Sequence, residues 1–344
     1  MSDLIARIKI PLFDEQLDNV TEAIRFGHLA IGPHLQLLKR QLSRLFSKQH
    51  VVLTANGFSA LFVALKSATQ HPWKWNVLTS PASTCFAITN AIKAAGHSTC
   101  YDDMDMASAS LARPTRGGRS RIAVVPDHFG AIAPACVKWK SRDGLLIEDA
   151  AQSFISRSHL KTAADIIVLS FFPTKLINGI DGGAILTNDA TFYARAKDLC
   201  SYSDQRKASD SPRYNLRMNN ISAAFALGTL SHLGEIAQAM NASFHALSEV
   251  LFKRGIKHLE MRRNEVPSRL LVFAEDAKQK KRWTHKLLTA GVPGCSELIF
   301  VCPQNQIPKY PKARQLVETT FSIPLHPALS HADMAKIKSA IERL

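Results

Sequence analysis

The chain has 344 residues with 43 Lys and Arg against 28 Asp and Glu, a formal net charge of +15, and 46% hydrophobic residues. That length exceeds one ordinary core and suits a large and a smaller domain, and the composition is that of a globular protein rather than a disordered one. No apolar run nears the roughly 18 residues of a membrane span, no C-x-x-C pairing links the six cysteines, and no nucleic-acid motif accompanies the dispersed basic residues.

Cys85, Cys100, Cys136, Cys200, Cys295 and Cys302 therefore read as reduced thiols in the cytosol, with no structural zinc. The opening MSDLIARIKIP lacks a signal-peptide pattern, which also points to the cytoplasm. The excess positive charge suits small anionic ligands rather than nucleic acid or membrane.

In chain order, Glu15 to Phe26 and His34 to Phe46 read as amphipathic helices, the second with Leu35, Leu38, Leu42 and Leu45 on one stripe. Val51 to Thr54 is a strand leading through Asn56-Gly57 into a helix that is apolar nearly all round, and hence buried. A helix start after a glycine turn presents free N–H groups and is an anion site in waiting. Val77 to Thr79, Thr99 to Tyr101 and Ile122 to Pro126 read as further strands. A basic connection at Arg113 to Arg121 separates the last two, and His128-Phe129-Gly130 forms a turn in which the histidine is structural.

The central stretch runs from Leu145 to Asn188. Two apolar runs, Leu145 to Ile147 and Ile166 to Phe172, end in polar residues where strands stop, and Ala184 to Thr187 is a third strand. In open α/β sheets ligands sit at such strand ends. A short connection follows Ser153, a helix runs to about Leu199, and the polar segment Ser201 to Pro212 reads as an exposed loop. Ile236, Met240, Phe244, Leu247 and Leu251 mark a long helix. Beyond it come a strand (Leu270 to Phe273), a helix (Asp276 to Ala290) and a second strand (Leu298 to Val301). Ser322 to Leu325 then leads to a last helix opened by a Ser330/Asp333 capping box.

The ordered set E-D-A-A-Q (148–152), S-F-F-P-T-K (170–175), G-G-A-I-L-T-N (182–188) and N-L-R-M (215–218) resembles the DegT/DnrJ/EryC1/StrS family of pyridoxal-phosphate (PLP) sugar aminotransferases. The resemblance implies an α/β fold of PLP fold-type I. A large domain (residues 1–235) would hold a mainly parallel seven-stranded sheet, and a smaller α/β domain would span 236–344. It implies Lys175 as the Schiff-base lysine, Asp149 opposite the ring nitrogen, Gln152 on the ring and Ser170 on the phosphate. Gly57, Phe58 and Ser59 open the phosphate-binding helix, with Phe58 where the family has threonine. Cys85, with Phe86 beside it, stands where the family stacks an aromatic on the ring, so a looser cofactor pocket is expected. Asn215 would reach the phosphate of a neighbouring subunit, implying a homodimer with shared sites. The implied reaction moves an amino group from an amino acid, commonly glutamate, to a nucleotide-linked keto sugar. A PLP or sugar-nucleotide binder without turnover, or a dehydratase-like PLP reaction, stands as the alternative; Lys175 counts against the dehydratase.

Overall fold

The computed structural model describes residues 4–68, 74–111, 122–138, 144–154, 163–202 and 212–344. The basic connection expected at 113–121 lies outside them, as does most of the connection after Ser153 and of the polar loop after Ser201.

Seven strands form the central sheet: β1 (His50–Thr54), β2 (Asn76–Thr79), β4 (Ser98–Tyr101), β7 (Ile122–Pro126), β8 (Leu145–Asp149), β9 (Ile166–Ser170) and β10 (Gly183–Thr187). Three two-residue strands, β3 (Ala82–Ser83), β5 (Met104–Asp105) and β6 (Ser110–Leu111), lie outside the sheet, and β11 (Leu270–Phe273) belongs to the C-terminal part. The order across the sheet is β1-β10-β9-β8-β7-β2-β4. Strands β4, β2, β7, β8 and β9 run parallel, and β10 alone runs against both of its neighbours, β9 and β1. The parallel strands are near-continuous apolar runs because helices cover both faces. The reversal at β10 positions the site. An antiparallel neighbour needs no crossover helix, so residues 171–182 return directly from β9 to β10 as a tight loop.

Each strand pointing the same way delivers its C-terminal end to one edge: Thr54 of β1, Asp149 of β8 and Ser170 of β9. The helix Gly57–Ala68 starts at that edge and is buried along most of its length, packing against β9 and β10. The helix Pro33–Phe46 buries Leu38 and Leu42, with Leu35 and Leu45 partly covered, as its stripe requires.

The C-terminal part follows the helix Leu233–Lys253, whose buried face is Ile236, Met240, Phe244, Leu247 and Leu251. Strand β11 pairs antiparallel with β13 (Thr320–Ile323), beside the helices Ala277–Thr289, Pro311–Thr319 and His331–Glu342. Ser330 and Asp333 close a reciprocal capping box on the last helix. One expectation is corrected. The strand read at Leu298 to Val301 shortens to β12 (Ile299–Phe300) and pairs with β3 rather than joining β11 and β13. Its backbone is drawn there because the N–H groups of Val301 and Cys302 both donate to the Pro81 carbonyl, and the Tyr101 hydroxyl donates to the Val301 carbonyl. The beginning of the chain also packs on the C-terminal part: the Ile5 N–H donates to the Gly291 carbonyl, and His326 Nε2 donates to that of Ala6. Among the described residues no helix is long and apolar enough to cross a membrane.

Candidate active site

A cavity of about 790 Å³ opens at the strand ends. Gly57, Phe58, Cys85, Asp149, Gln152, Ser170 and Lys175, separated by up to 118 positions in sequence, all line it. Two of the sequence-derived residues do not. Ser59 is buried beneath the lining, and its N–H is taken by the Asn56 side chain at 2.8 Å. Asn215 is exposed, with its carbonyl oxygen accepting from Arg217 Nε and Nη2 at 3.3 and 3.2 Å.

Asn56 caps the buried helix, a role legible from an Asn just before a helix start. With Ser59 capped, the N–H groups of Gly57 and Phe58, two residues of the cavity lining, are left without an acceptor among the described residues. The helix comes so close to β9 that a Cβ on Gly57 would lie 2.7 Å from Ser170 Cβ and 2.9 Å from its Oγ. Glycine is therefore what lets the start of this helix come so close to the Ser170 hydroxyl. An anion such as a phosphate group fits that cradle.

Asp149 ends β8 with its carboxylate toward the cavity, where Oδ1 accepts from the Ala151 N–H at 3.1 Å. Burial pushes its pKa up to about 6, against the opposing pull of the Lys175 charge. Burial likewise lowers the Lys175 pKa; Asp149 counters this, and Arg269 adds to it. A lysine biased toward its neutral form is a nucleophile and a proton carrier. Its loop is held by Phe171 N–H to the Gly182 carbonyl and Gly179 N–H to the Phe171 carbonyl, both 2.8 Å.

Gln152 is clamped in one orientation. Its Oε1 accepts from the Phe129 N–H at 3.1 Å, and its Nε2 donates to Thr84 Oγ1 at 2.6 Å. Phe129 can offer that N–H because it sits at φ 60 in the His128-Phe129-Gly130 turn. His128 serves the turn: Nδ1 donates to the Ala109 carbonyl at 2.8 Å, Nε2 accepts from Ser83 Oγ at 3.3 Å, and burial keeps its pKa low. Phe58 and Cys85 are exposed on the lining, while Phe86 is exposed but off it. Sequence reasoning missed Thr84, Asp181 and the group Arg7, Ser268, Arg269 and Glu297, which reach the cavity from the opposite ends of the chain. A motif read locally carries no signal for contacts of that range.

The donor set fits a phosphorylated pyridine aldehyde: an anion cradle at Gly57, Phe58 and Ser170, a carboxylate at Asp149, and an amine at Lys175. Comparison with known proteins agrees. A UDP-N-acetyl-3-dehydro-alpha-D-glucosamine 3-aminotransferase from Acidithiobacillus ferrooxidans is 25% identical over 100% of this chain and 97% of its own length. The spore coat polysaccharide biosynthesis protein SpsC of Bacillus subtilis is 24% identical over 95% of this chain and 93% of its own. The structure of Helicobacter pylori PseC, described as an aminotransferase involved in pseudaminic acid biosynthesis, superposes with a TM-score of 0.89 at 17% identity, covering 99% and 98% of the two chains. The model of the DegT/DnrJ/EryC1/StrS aminotransferase family matches residues 12–342, so the chain belongs to this family of PLP-dependent aminotransferases.

Proposed function

We propose that the protein transfers an amino group from an amino acid, glutamate as the common donor, to a keto sugar carried on a nucleotide. The observation that carries this reading is that Asp149 and Lys175 line one cavity and act on each other's charge, with the start of the helix Gly57–Ala68 and Ser170 on the same lining. The relative from Acidithiobacillus, matched over essentially its whole length, bears the name of an enzyme for a UDP-linked 3-keto sugar.

In this reading, the N–H groups of Gly57 and Phe58 and the Ser170 hydroxyl hold the cofactor phosphate. Asp149 would serve the ring nitrogen, Gln152 and Cys85 the ring, and Lys175 the aldehyde, all four being on the cavity lining. Bound there, PLP would supply an electron sink for the charge left when the donor's Cα loses its proton. Lys175, freed once the donor's amino group displaces it from the aldehyde, would take that proton, a task suited to an amine whose pKa burial has lowered. The Asp149 carboxylate, opposite a cation, is held ionised despite its burial.

This reading divides the chain between residues 235 and 236, which is supported by the packing of the helix Leu233–Lys253 chiefly on the helix His331–Glu342, with residues 5–7 also contacting the C-terminal part. The enzyme works as a homodimer in the cytoplasm. Pairing is supported by the exposed Asn215 and by Leu17, Ile24, Phe26, Leu29 and Ile31, a run of exposed large apolar side chains in the N-terminal segment. The Leu29 carbonyl accepts from the N–H groups of Asn220 and Ile221, so this apolar run adjoins the segment bearing Asn215. Six free cysteines accord with a reducing compartment.

The test is a panel of nucleotide-linked keto sugars incubated with the amine-loaded protein and followed by mass spectrometry. An amino sugar product supports the reading. Conversion of keto acids alone, with every keto sugar returned unchanged, rejects the sugar acceptor.

A further inference from the structure

Another part of the cavity lining, near enough to Lys175 for its charges to act on that amine, holds an arrangement that holding the cofactor does not require. Arg7, Ser268, Arg269 and Glu297 all line the cavity there. Glu297 stands between two guanidiniums. Its Oε2 accepts from Arg7 Nη2 at 2.9 Å, while Oε1 accepts from Ser322 Oγ at 2.5 Å and lies 3.8 Å from Arg269 Nε. One carboxylate for two guanidiniums leaves one positive charge over, and it rests on Arg269. The distance of 3.8 Å is too long for a hydrogen bond. The Arg269 side chain is 14% exposed against 43% for Arg7, so water cannot make good the difference.

The donors are unspent as well. Among the described residues, Arg269 makes one hydrogen bond, from Nη1 to the carbonyl of its neighbour Ser268. The Ser268 hydroxyl, on a residue 5% exposed, has no partner among them. Dry, unpaired donors are costly unless something arrives to accept from them. The other carboxylates of the lining stand elsewhere: Asp149 at the end of β8 and Asp181 in the loop before β10, where its Oδ1 accepts from the Gly182 N–H.

We propose that Arg269, with the Ser268 hydroxyl beside it, recognises a carboxylate of the substrate. A planar guanidinium matches a two-oxygen anion in fork geometry. A surplus of one positive charge matches a carboxylate rather than a diphosphate. The inference rests on the aminotransferase reading for its substrate, and the carboxylate belongs either to the amino acid donor or to the sugar of the acceptor. Arg7 holds Glu297 away from Arg269, and so keeps the fork available.

Both sources are tested on the PLP-loaded full chain and its Arg269→Gln and Arg269→Lys variants. In the first arm, L-glutamate is titrated and conversion of the cofactor to its amine form is followed by absorbance. In the second, UDP-glucose and UDP-glucuronate are compared by calorimetry on the amine-loaded protein. Recognition of the donor raises half-saturating glutamate by about ten- to a hundredfold in Arg269→Gln, the scale of hydrogen bonds to a charged group. Recognition of the acceptor instead gives wild type a preference for UDP-glucuronate over UDP-glucose that Arg269→Gln erases. Arg269→Lys, which keeps the charge and loses the fork, falls between in either arm and carries the comparison should Arg269→Gln fail to fold. The proposal is overturned if both quantities stay within about twofold of wild type, or if both nucleotide sugars weaken equally, which would assign Arg269 to the diphosphate. Failure of wild type to consume glutamate would instead count against the aminotransferase reading, and the calorimetric arm remains a test of Arg269.

Discussion

Lys175 and Asp149 form a pair in which burial works on both members in the direction of neutrality, and their attraction works against it. Borohydride treatment of the cofactor-loaded protein should place a pyridoxyl adduct on Lys175 when peptides are mapped; an adduct only on another lysine would reject the assignment. Lys175→Ala should lose both the adduct and transamination while the fold survives, since the side chain lies in a loop at the edge of the core. Asp149→Asn should retain cofactor but slow turnover by about a hundredfold or more, the scale for removing a key electrostatic partner. The same variant makes a pH prediction for the cofactor-free protein. A carboxyl whose pKa rises on folding, here from 3.8 to about 6, favours the fold while protonated. Its contribution, about 3 kcal/mol, is therefore full below pH 4 and lost as the pH climbs through 6. Thermal melts between pH 4 and 7 should show that decline in wild type and a flatter profile in Asp149→Asn; identical profiles would mean that Asp149 titrates normally.

At the scale of elements, the site depends on how closely the helix Gly57–Ala68 approaches β9. Gly57→Ala inserts a methyl group 2.7 Å from Ser170 Cβ, on a strand that cannot swing aside. Either the helix start or Ser170 must move, and both are parts of the anion cradle. Overpacking of this kind costs about 1–3 kcal/mol. The variant should melt lower and release PLP more readily on dialysis, and a cofactor affinity equal to wild type would show that the cradle is not where phosphate binds. The loop between β9 and β10 has a matching constraint. Gly182 sits at φ 143, and a Cβ there would meet Met218 Cε at 2.6 Å. The residues of G-G-A are thus pinned by packing against the N-L-R-M segment.

For the whole molecule, the central question is how the exposed apolar run near Leu17 to Ile31 is covered. A second copy of the chain would bury it and bring Asn215 toward the neighbouring cavity. Sedimentation at micromolar concentration should return a dimer. Mixing Lys175→Ala subunits with Asn215→Ala subunits should then partly restore activity, because one site of each heterodimer carries both defects and the other carries neither. Recovery requires that the Asn215 change be damaging alone, and one hydrogen bond to a charged phosphate is worth about 1.5–3 kcal/mol. A monomer in sedimentation would reject shared sites outright.

Local pattern alone determined much of this protein. Apolar runs ending in polar residues marked β7, β8 and β9, helical spacing marked Leu38 and Leu42 and the stripe from Ile236 to Leu251, and the Ser330/Asp333 box marked the last helix. The ordered motifs from Glu148 to Met218 marked the family, and those from Glu148 to Lys175 marked Asp149, Gln152, Ser170 and Lys175 of the cavity lining, because chemistry that must sit at successive strand ends is written into the chain at intervals the fold sets. Tertiary structure decided what depends on proximity. Ser59 left the lining because Asn56 uses its N–H, and Ile299-Phe300 joined Ala82-Ser83 because their backbone partners lie around Pro81. The meeting of Arg7, Arg269 and Glu297 could not be read from any window of sequence. Their approach costs one long loop closure after another, and only packing of the first residues of the chain against its last hundred brings their charges into one wall.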